Sequence, residues 1–351
     1  MNRTSPTAPT TLTTLCVLGV LCVLCVMALC AALPPVAQAG TRLTYSCFFP
    51  PTHVQSQLAE AWCKEVEKRT NGEVAVDFFP GGTLTKAEEA YDGVVQGMSD
   101  LGFSVLGYSR GRFPVMAAVD LPLGYRSGWA ATQVANQVYA HFKPAEFNDV
   151  QPMYFHAHGP GLLHTAKKEV RKLEDLQGLK LRATGNSGQL VKALGGTPVA
   201  MSMPDSYQAI QKGVVNGGMY PVETNKGWNM AEVVHFMTET QPVAYTTTFF
   251  VVMNKARWES LSPKARQAIA AINVEWAEKH AQAWDASDVV GMEFFKSKGG
   301  KVLPLNNGEA ERWIKATEPL LAQYVQETKA KGLDGQGILN FARQALRKAQ
   351  Q

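Results

Sequence analysis

The sequence predicts an α/β fold of two lobes, each built on its own sheet. Three observations carry that expectation. Short strand-like runs alternate with amphipathic helical segments, the alternation starts afresh with new material after Tyr154, and the last hundred or so residues are almost wholly helical. Composition agrees: 351 residues at 46% hydrophobic and 18% charged describe a globular protein. With 34 Lys+Arg against 30 Asp+Glu and no basic block, nothing marks a nucleic-acid partner.

Leu15 to Leu33 carries no charge, and Ala37-Gln38-Ala39 follows with the small-x-small pattern read by signal peptidases. This predicts a secretory signal cleaved after Ala39; the alternative is an uncleaved anchor, since the apolar run is long enough to span a bilayer. Four of the six cysteines, Cys16, Cys22, Cys25 and Cys30, fall inside this segment. Cys47 and Cys63 remain. They could pair in an oxidising compartment or stay as buried thiols, and two cysteines cannot build a structural zinc site.

Beyond Gly40 the elements follow in order. Arg42 to Cys47 reads as a strand, Val54 to Arg69 as a helix with Leu58, Trp62 and Val66 four apart, and Val74 to Phe79 as a strand stopped by Pro80-Gly81-Gly82. Ala87 to Gln96 is helical and Leu101 to Val105 extended. The second set brings strands at Tyr154 to His156, Leu162 to Thr165, Leu179 to Ala183, Pro198 to Met201 and Gly217 to Tyr220, with helices at Ser187 to Leu194 and Pro204 to Lys212. Val243 to Met253 is one long strand-like run. Spacing of this kind predicts parallel sheets covered by helices. From Ser262-Pro263 a helix runs to Gly299 with Asp288 to Gly291 as its one candidate kink. At ~1.5 Å per residue it would reach about 50 Å, enough to bridge two lobes. Helices from Glu309 to Lys331 and Gly335 to Lys348 finish the chain.

Three constellations carry possible chemistry. Gly107-Tyr108-Ser109-Arg110-Gly111 matches a nucleophile elbow, but Phe113-Pro114 falls where the required helix should run. His156, His158 and His164 could supply metal ligands, though no carboxylate lies among them and Gly159-Pro160-Gly161 reads as a crossover. A secreted hydrolase or metal-dependent enzyme built on Ser109 or these histidines is therefore the rival reading. Leu179-Lys180-Leu181-Arg182 ends a strand on a guanidinium just before Gly185, the place where open α/β sheets bind ligands. On pattern alone Arg182 could equally be a surface residue.

The chain resembles the solute-binding proteins of TRAP transporters, the DctP family, over essentially its whole mature length. The string runs from Arg182 through Leu194-Gly195-Gly196-Thr197-Pro198 and Met203-Pro204-Asp205-Ser206-Tyr207-Gln208-Ala209-Ile210 to Tyr220-Pro221, with Ala118-Val119-Asp120-Leu121-Pro122 upstream. The resemblance implies a two-lobed periplasmic-binding-protein fold of the Venus-flytrap kind with a long bridging helix, closing on an organic acid and delivering it to the small and large membrane permease subunits. It implies no catalysis and no cofactor, a periplasmic location, and a monomer or dimer. It assigns residues 40–157 plus 246–285 to one lobe and 158–245 plus 286–351 to the other, and makes Arg182 the partner of the ligand carboxylate.

Departures from the family pattern point to the ligand. Gly161 stands where sialic-acid-type members carry a second arginine. Tyr220, in Gly218-Met219-Tyr220-Pro221, replaces a polar amide, and the carboxamide and carboxylate that metal-dependent 2-oxo-acid members use are not matched, though Glu223 is close. Phe48, Phe49 and Met203 add apolar surface, and His158 belongs to the crossover. Arg182, Tyr220, Met203, Phe48, Phe49, His158 and Glu223 are thus the expected ligand-binding residues, and a monocarboxylate with an apolar or aromatic body the expected ligand.

Overall fold

A computed structural model of the chain describes residues 1–2, 40–109 and 111–351. The expected signal segment, with its four cysteines and its cleavage point, lies outside the described residues, as does Arg110. The elements of the described chain are β1 (Thr41–Cys47), α1 (Val54–Arg69), β2 (Val74–Phe79), α2 (Ala90–Val95), β3 (Leu101–Val105), α3 (Gly128–Phe142), β4 (Val150–Ala157), β5 (Gly161–Thr165), β6 (Lys180–Ala183), α4 (Asn186–Ala193), β7 (Thr197–Ala200), α5 (Met203–Gln211), β8 (Gly217–Pro221), α6 (Thr224–Gly227), β9 (Phe236–Glu239), β10 (Thr248–Asn254), α7 (Lys255–Ser260), α8 (Pro263–Ser297), β11 (Lys301–Pro304), α9 (Asn307–Ala330) and α10 (Gly335–Ala349).

The strands form two sheets, one per lobe, in the orders β2-β1-β3-β10-β4 and β11-β9-β5-β8-β6-β7. Neither sheet is purely parallel, which corrects the expectation from spacing. β10 runs antiparallel to β3 and β4, and β5 antiparallel to β8 and β9, because β5 and β10 arrive by crossing from the opposite lobe. The two crossings lie side by side: the Gly161 N–H donates to the Tyr245 carbonyl at 2.8 Å, and the Thr246 hydroxyl donates to the His158 carbonyl at 2.6 Å. The expected single run from Val243 to Met253 breaks here, and only Thr248–Asn254 joins a sheet. At Gly161 any Cβ would overlap the Tyr245 ring, so glycine keeps the two crossings in contact.

Helix α8 is continuous over 35 residues, with no break at the expected kink. Ile269, Ile272, Trp276 and Trp284 pack into the core of the first lobe, and Phe295 into that of the second beside Tyr220 and Val222. Gly291 is required for contact: a Cβ there would overlap the Val222 carbonyl and the Glu223 backbone. Helix α10 packs Ile338, Leu339, Ala342 and Leu346 into one core with Ala130, Val134 and Val138 of α3, on the first-sheet side, although the expected ranges group it with the second lobe. Helix α3, β9 and β11 are not among the expected elements. Cys47 and Cys63 are free, buried thiols, and burial pushes the Cys47 thiol up to about 12.

The family-like Asp120 has a structural task. Its Oδ1 accepts from the Thr248 N–H at 2.9 Å and hydroxyl at 2.7 Å, anchoring the start of β10. Burial pushes this carboxyl up to about 7 in spite of those two bonds. A carboxyl that holds its proton more tightly when folded favours folding at low pH, and that contribution is lost as pH rises from about 4 to about 7. Asp120→Asn, which cannot ionise, should therefore gain stability relative to the parent over that interval. Urea midpoints at a series of pH values read the difference; a difference that does not vary with pH contradicts it.

Candidate functional site

The lobes meet around a cavity whose empty space is about 410 Å³. All seven residues expected from the sequence line it: Phe48 and Phe49 from the turn after β1, His158 from the first crossing, Arg182 from β6, Met203 at the start of α5, and Tyr220 and Glu223 from β8 and the turn after it. Sequence reasoning missed Tyr108, Trp228, Tyr245, Phe249 and Trp284, which line it too. Tyr108 had a signal: it sits inside the glycine-flanked motif read as a candidate elbow.

Arg182 is buried, at 5% exposure, and among the described residues it has no carboxylate partner. Its Nε donates to the Met201 carbonyl at 3.2 Å, Nη1 to the Met219 carbonyl at 3.4 Å and Nη2 to the Tyr108 hydroxyl at 3.5 Å. These are long bonds to neutral acceptors. A guanidinium out of water is costly without a counter-charge, so this geometry favours an incoming anion. Beside it the Tyr220 hydroxyl is buried and makes no hydrogen bond to any described residue, and burial pushes its pKa up despite the nearby Arg182, so it keeps its proton and stays a donor.

Tyr108 joins the lobes. It follows β3 of the first lobe, and its hydroxyl accepts the Met203 N–H of the second at 2.9 Å while meeting Arg182. The backbones touch next to it, where a Cβ on Gly185 would come 3.0 Å from the Gly107 Cα; Gly185 has φ of +51°, a conformation that glycine adopts without strain.

The rest of the wall is aromatic. Phe48 stacks on Phe49 at 4.3 Å between ring centroids, lies parallel to Trp228 at 6.2 Å and to Phe249 at 6.5 Å, and meets Tyr108 edge-on at 6.0 Å. Trp284 closes the floor, stacked on Phe249 at 5.0 Å. Also lining the cavity, Glu223 Oε2 faces His53 Nε2 at 3.1 Å, a buried contact between lobes.

The rival constellations come apart in the folded chain. After β3, Leu106–Tyr108 form a single tight turn and the next α-helix begins only at Gly128, so Ser109 has no elbow. His156 accepts the Trp284 indole N–H at 2.9 Å and stacks on His280, His158 Nδ1 faces the Gly159 carbonyl, and His164 stacks on Tyr220. Burial holds the pKa values of His158 and His164 down, to about 4 and about 3. Each ring is committed to a different neighbour, and no group of three or more metal-binding side chains occurs among the described residues.

The sequence profile of the bacterial extracellular solute-binding protein family 7, DctP, matches residues 45–328. The chain belongs to this family. As a DctP-family protein it is a TRAP-transporter solute receptor and not an enzyme, so the hydrolase and metal-enzyme readings fall away. Three solved TRAP solute-binding proteins are similar to it. One from Desulfovibrio salexigens, in an open complex, is 32% identical with a TM-score of 0.77, covering 88% of this chain and 97% of that one. A marine-metagenome protein specific for aromatic acid ligands, in complex with 3-hydroxybenzoate, is 28% identical with a TM-score of 0.85, covering 90% and 100%. A Bordetella bronchiseptica protein with bound (R)- and (S)-mandelate is 26% identical with a TM-score of 0.82, covering 88% and 99%. The two lobes around a cavity and the long α8 are what the resemblance in sequence implies.

Proposed function

We propose that this receptor binds an aromatic or otherwise apolar monocarboxylate in the cavity between its lobes and hands it to the small and large permease subunits from the periplasm, after cleavage at Ala39. The observation that carries the reading is the buried Arg182, without a carboxylate partner among the described residues, facing a cavity walled by aromatic rings. Arg182 takes the carboxylate and the free Tyr220 hydroxyl adds a neutral donor to it. Phe48, Phe49 and Met203 hold the body, with His158 as a neutral wall and Glu223 a further polar lining group. Tyr108 and Met203 come from opposite lobes, so a ligand held at Arg182 stabilises their contact and hence the closed arrangement, by a hinge motion at the two crossings and α8. In this reading the lobes divide at those crossings, with α10 belonging to the first. The ligands of the marine-metagenome and Bordetella relatives, 3-hydroxybenzoate and mandelate, are monocarboxylates with a ring and support it.

A thermal-shift screen of aromatic acids, 2-oxo acids and C4-dicarboxylates tests this. Aromatic monocarboxylates are expected to raise the melting temperature most. Stabilisation by succinate or malate alone contradicts the assignment.

A further inference from the structure

We propose that Glu223, oriented by His53, forms a second polar subsite that accepts a hydrogen bond from a hydroxyl on the ligand's aromatic body. The inference rests on the reading that the ligand is an aromatic carboxylate held at Arg182, and concerns a second polar group lining the same cavity.

His53 Nδ1 accepts the Gln55 N–H at 3.2 Å, capping α1, and a nitrogen that accepts cannot carry the proton. The proton is therefore on Nε2, which donates to Glu223 Oε2 at 3.1 Å. That leaves Oε1 as an acceptor with no hydrogen bond to any described residue, on a side chain that is 3% exposed and lines the cavity. The carboxylate is held from several directions. The Glu223 N–H donates to Asp288 Oδ1 of α8 at 2.8 Å, Gly291 lets α8 press against the Glu223 backbone, and Gly227 leaves the room that the His53–Glu223 pair occupies.

Arg182 and Glu223 lie at two ends of one aromatic path. Arg182 meets Tyr108, Tyr108 meets Phe48, Phe48 stacks on Phe49, Phe49 packs on His53 at 4.4 Å, and His53 reaches Glu223. They share no hydrogen-bond partner. An anion at the Glu223 end would meet a like charge, so a dicarboxylate is disfavoured there, whereas a neutral hydroxyl supplies the donor that Oε1 lacks. A buried acceptor left without a donor also penalises ligands that are apolar at this end.

Calorimetric titration of the parent protein and Glu223→Ala with benzoate and the three monohydroxybenzoates tests the subsite. The parent is expected to bind at least one regioisomer about tenfold or more tighter than benzoate, and Glu223→Ala is expected to bring that ratio to within about twofold. His53→Gln, which keeps a donor, is expected to retain more of the ratio than His53→Ala; equal ratios would remove His53 from its positioning role. Benzoate binding with no hydroxyl preference in the parent, or a preference that survives Glu223→Ala, overturns the subsite and leaves the aromatic-acid reading standing. If none of the four acids binds the parent, the subsite as a hydroxybenzoate acceptor falls, while the thermal-shift screen decides the aromatic-acid reading separately.

Discussion

Replacing Arg182 with Ala is expected to cost about 3–5 kcal/mol of ligand affinity, a factor of about 100 to 4,000, because the ligand carboxylate would then be desolvated against carbonyls and rings with no opposing charge. Arg182→Lys should recover only part of this. A lysine ammonium is a point charge that cannot reproduce the planar fork now spread over Met201, Met219 and Tyr108. Circular dichroism and the ligand-free melting curve check that the fold persists, and calorimetry reads the affinity. Binding within tenfold of the parent in Arg182→Ala would remove the residue from its assigned role.

The second large effect is on stability. Trp284 is 1% exposed, stacks on Phe249, donates its indole N–H to His156, and has its Cβ packed so closely on α3 that Gly128 could carry no side chain there. Trp284→Ala is expected to destabilise the protein by about 3–5 kcal/mol through lost burial and the cavity left behind. Trp284→Phe should keep the stack while leaving His156 Nδ1 without its donor, a smaller cost of about 1–3 kcal/mol. Urea denaturation measures both. Near-equal midpoints for the parent and Trp284→Ala would contradict this account of the core between α8 and the first sheet.

Much of the fold was legible because local period and end signals coincide with the elements. Val54–Arg69 ends at Asn71-Gly72, and Asn71 adopts a positive φ as that pairing of residues suggests. The long helix was legible from Ser262-Pro263, where Ser262 caps and Pro263 begins the first turn. Helix α3 was not, because Ala130, Ala131, Val134, Ala135 and Val138 are buried between α8, α10 and the sheet, which removes the one-sided apolar stripe that marks a surface helix. β11, at the edge of the second sheet, and its neighbour β9 are four residues each, so their period is weak. The mixed strand directions depend on which lobe a strand enters from, a long-range fact with no local trace.

The site divides in the same way. Arg182, Phe48, Phe49 and Tyr220 stand at strand ends or in turns after strands, where sequence position already points to a ligand cleft. Tyr108 and Trp228 reach the cavity only because the lobes meet. His53 reads as an ordinary helix cap until Glu223, 170 residues away, is brought against it. Gly161, noticed for the arginine it lacks, is explained by the Tyr245 ring that fills the space.

The most direct test of the central claim is mass spectrometry of small molecules extracted from the protein purified under native conditions, with an Arg182→Ala preparation alongside. An aromatic monocarboxylate is expected to be released from the parent and missing from the variant. A dicarboxylate or a sugar acid recovered from the parent, or the same acid in equal amount from both preparations, would contradict it.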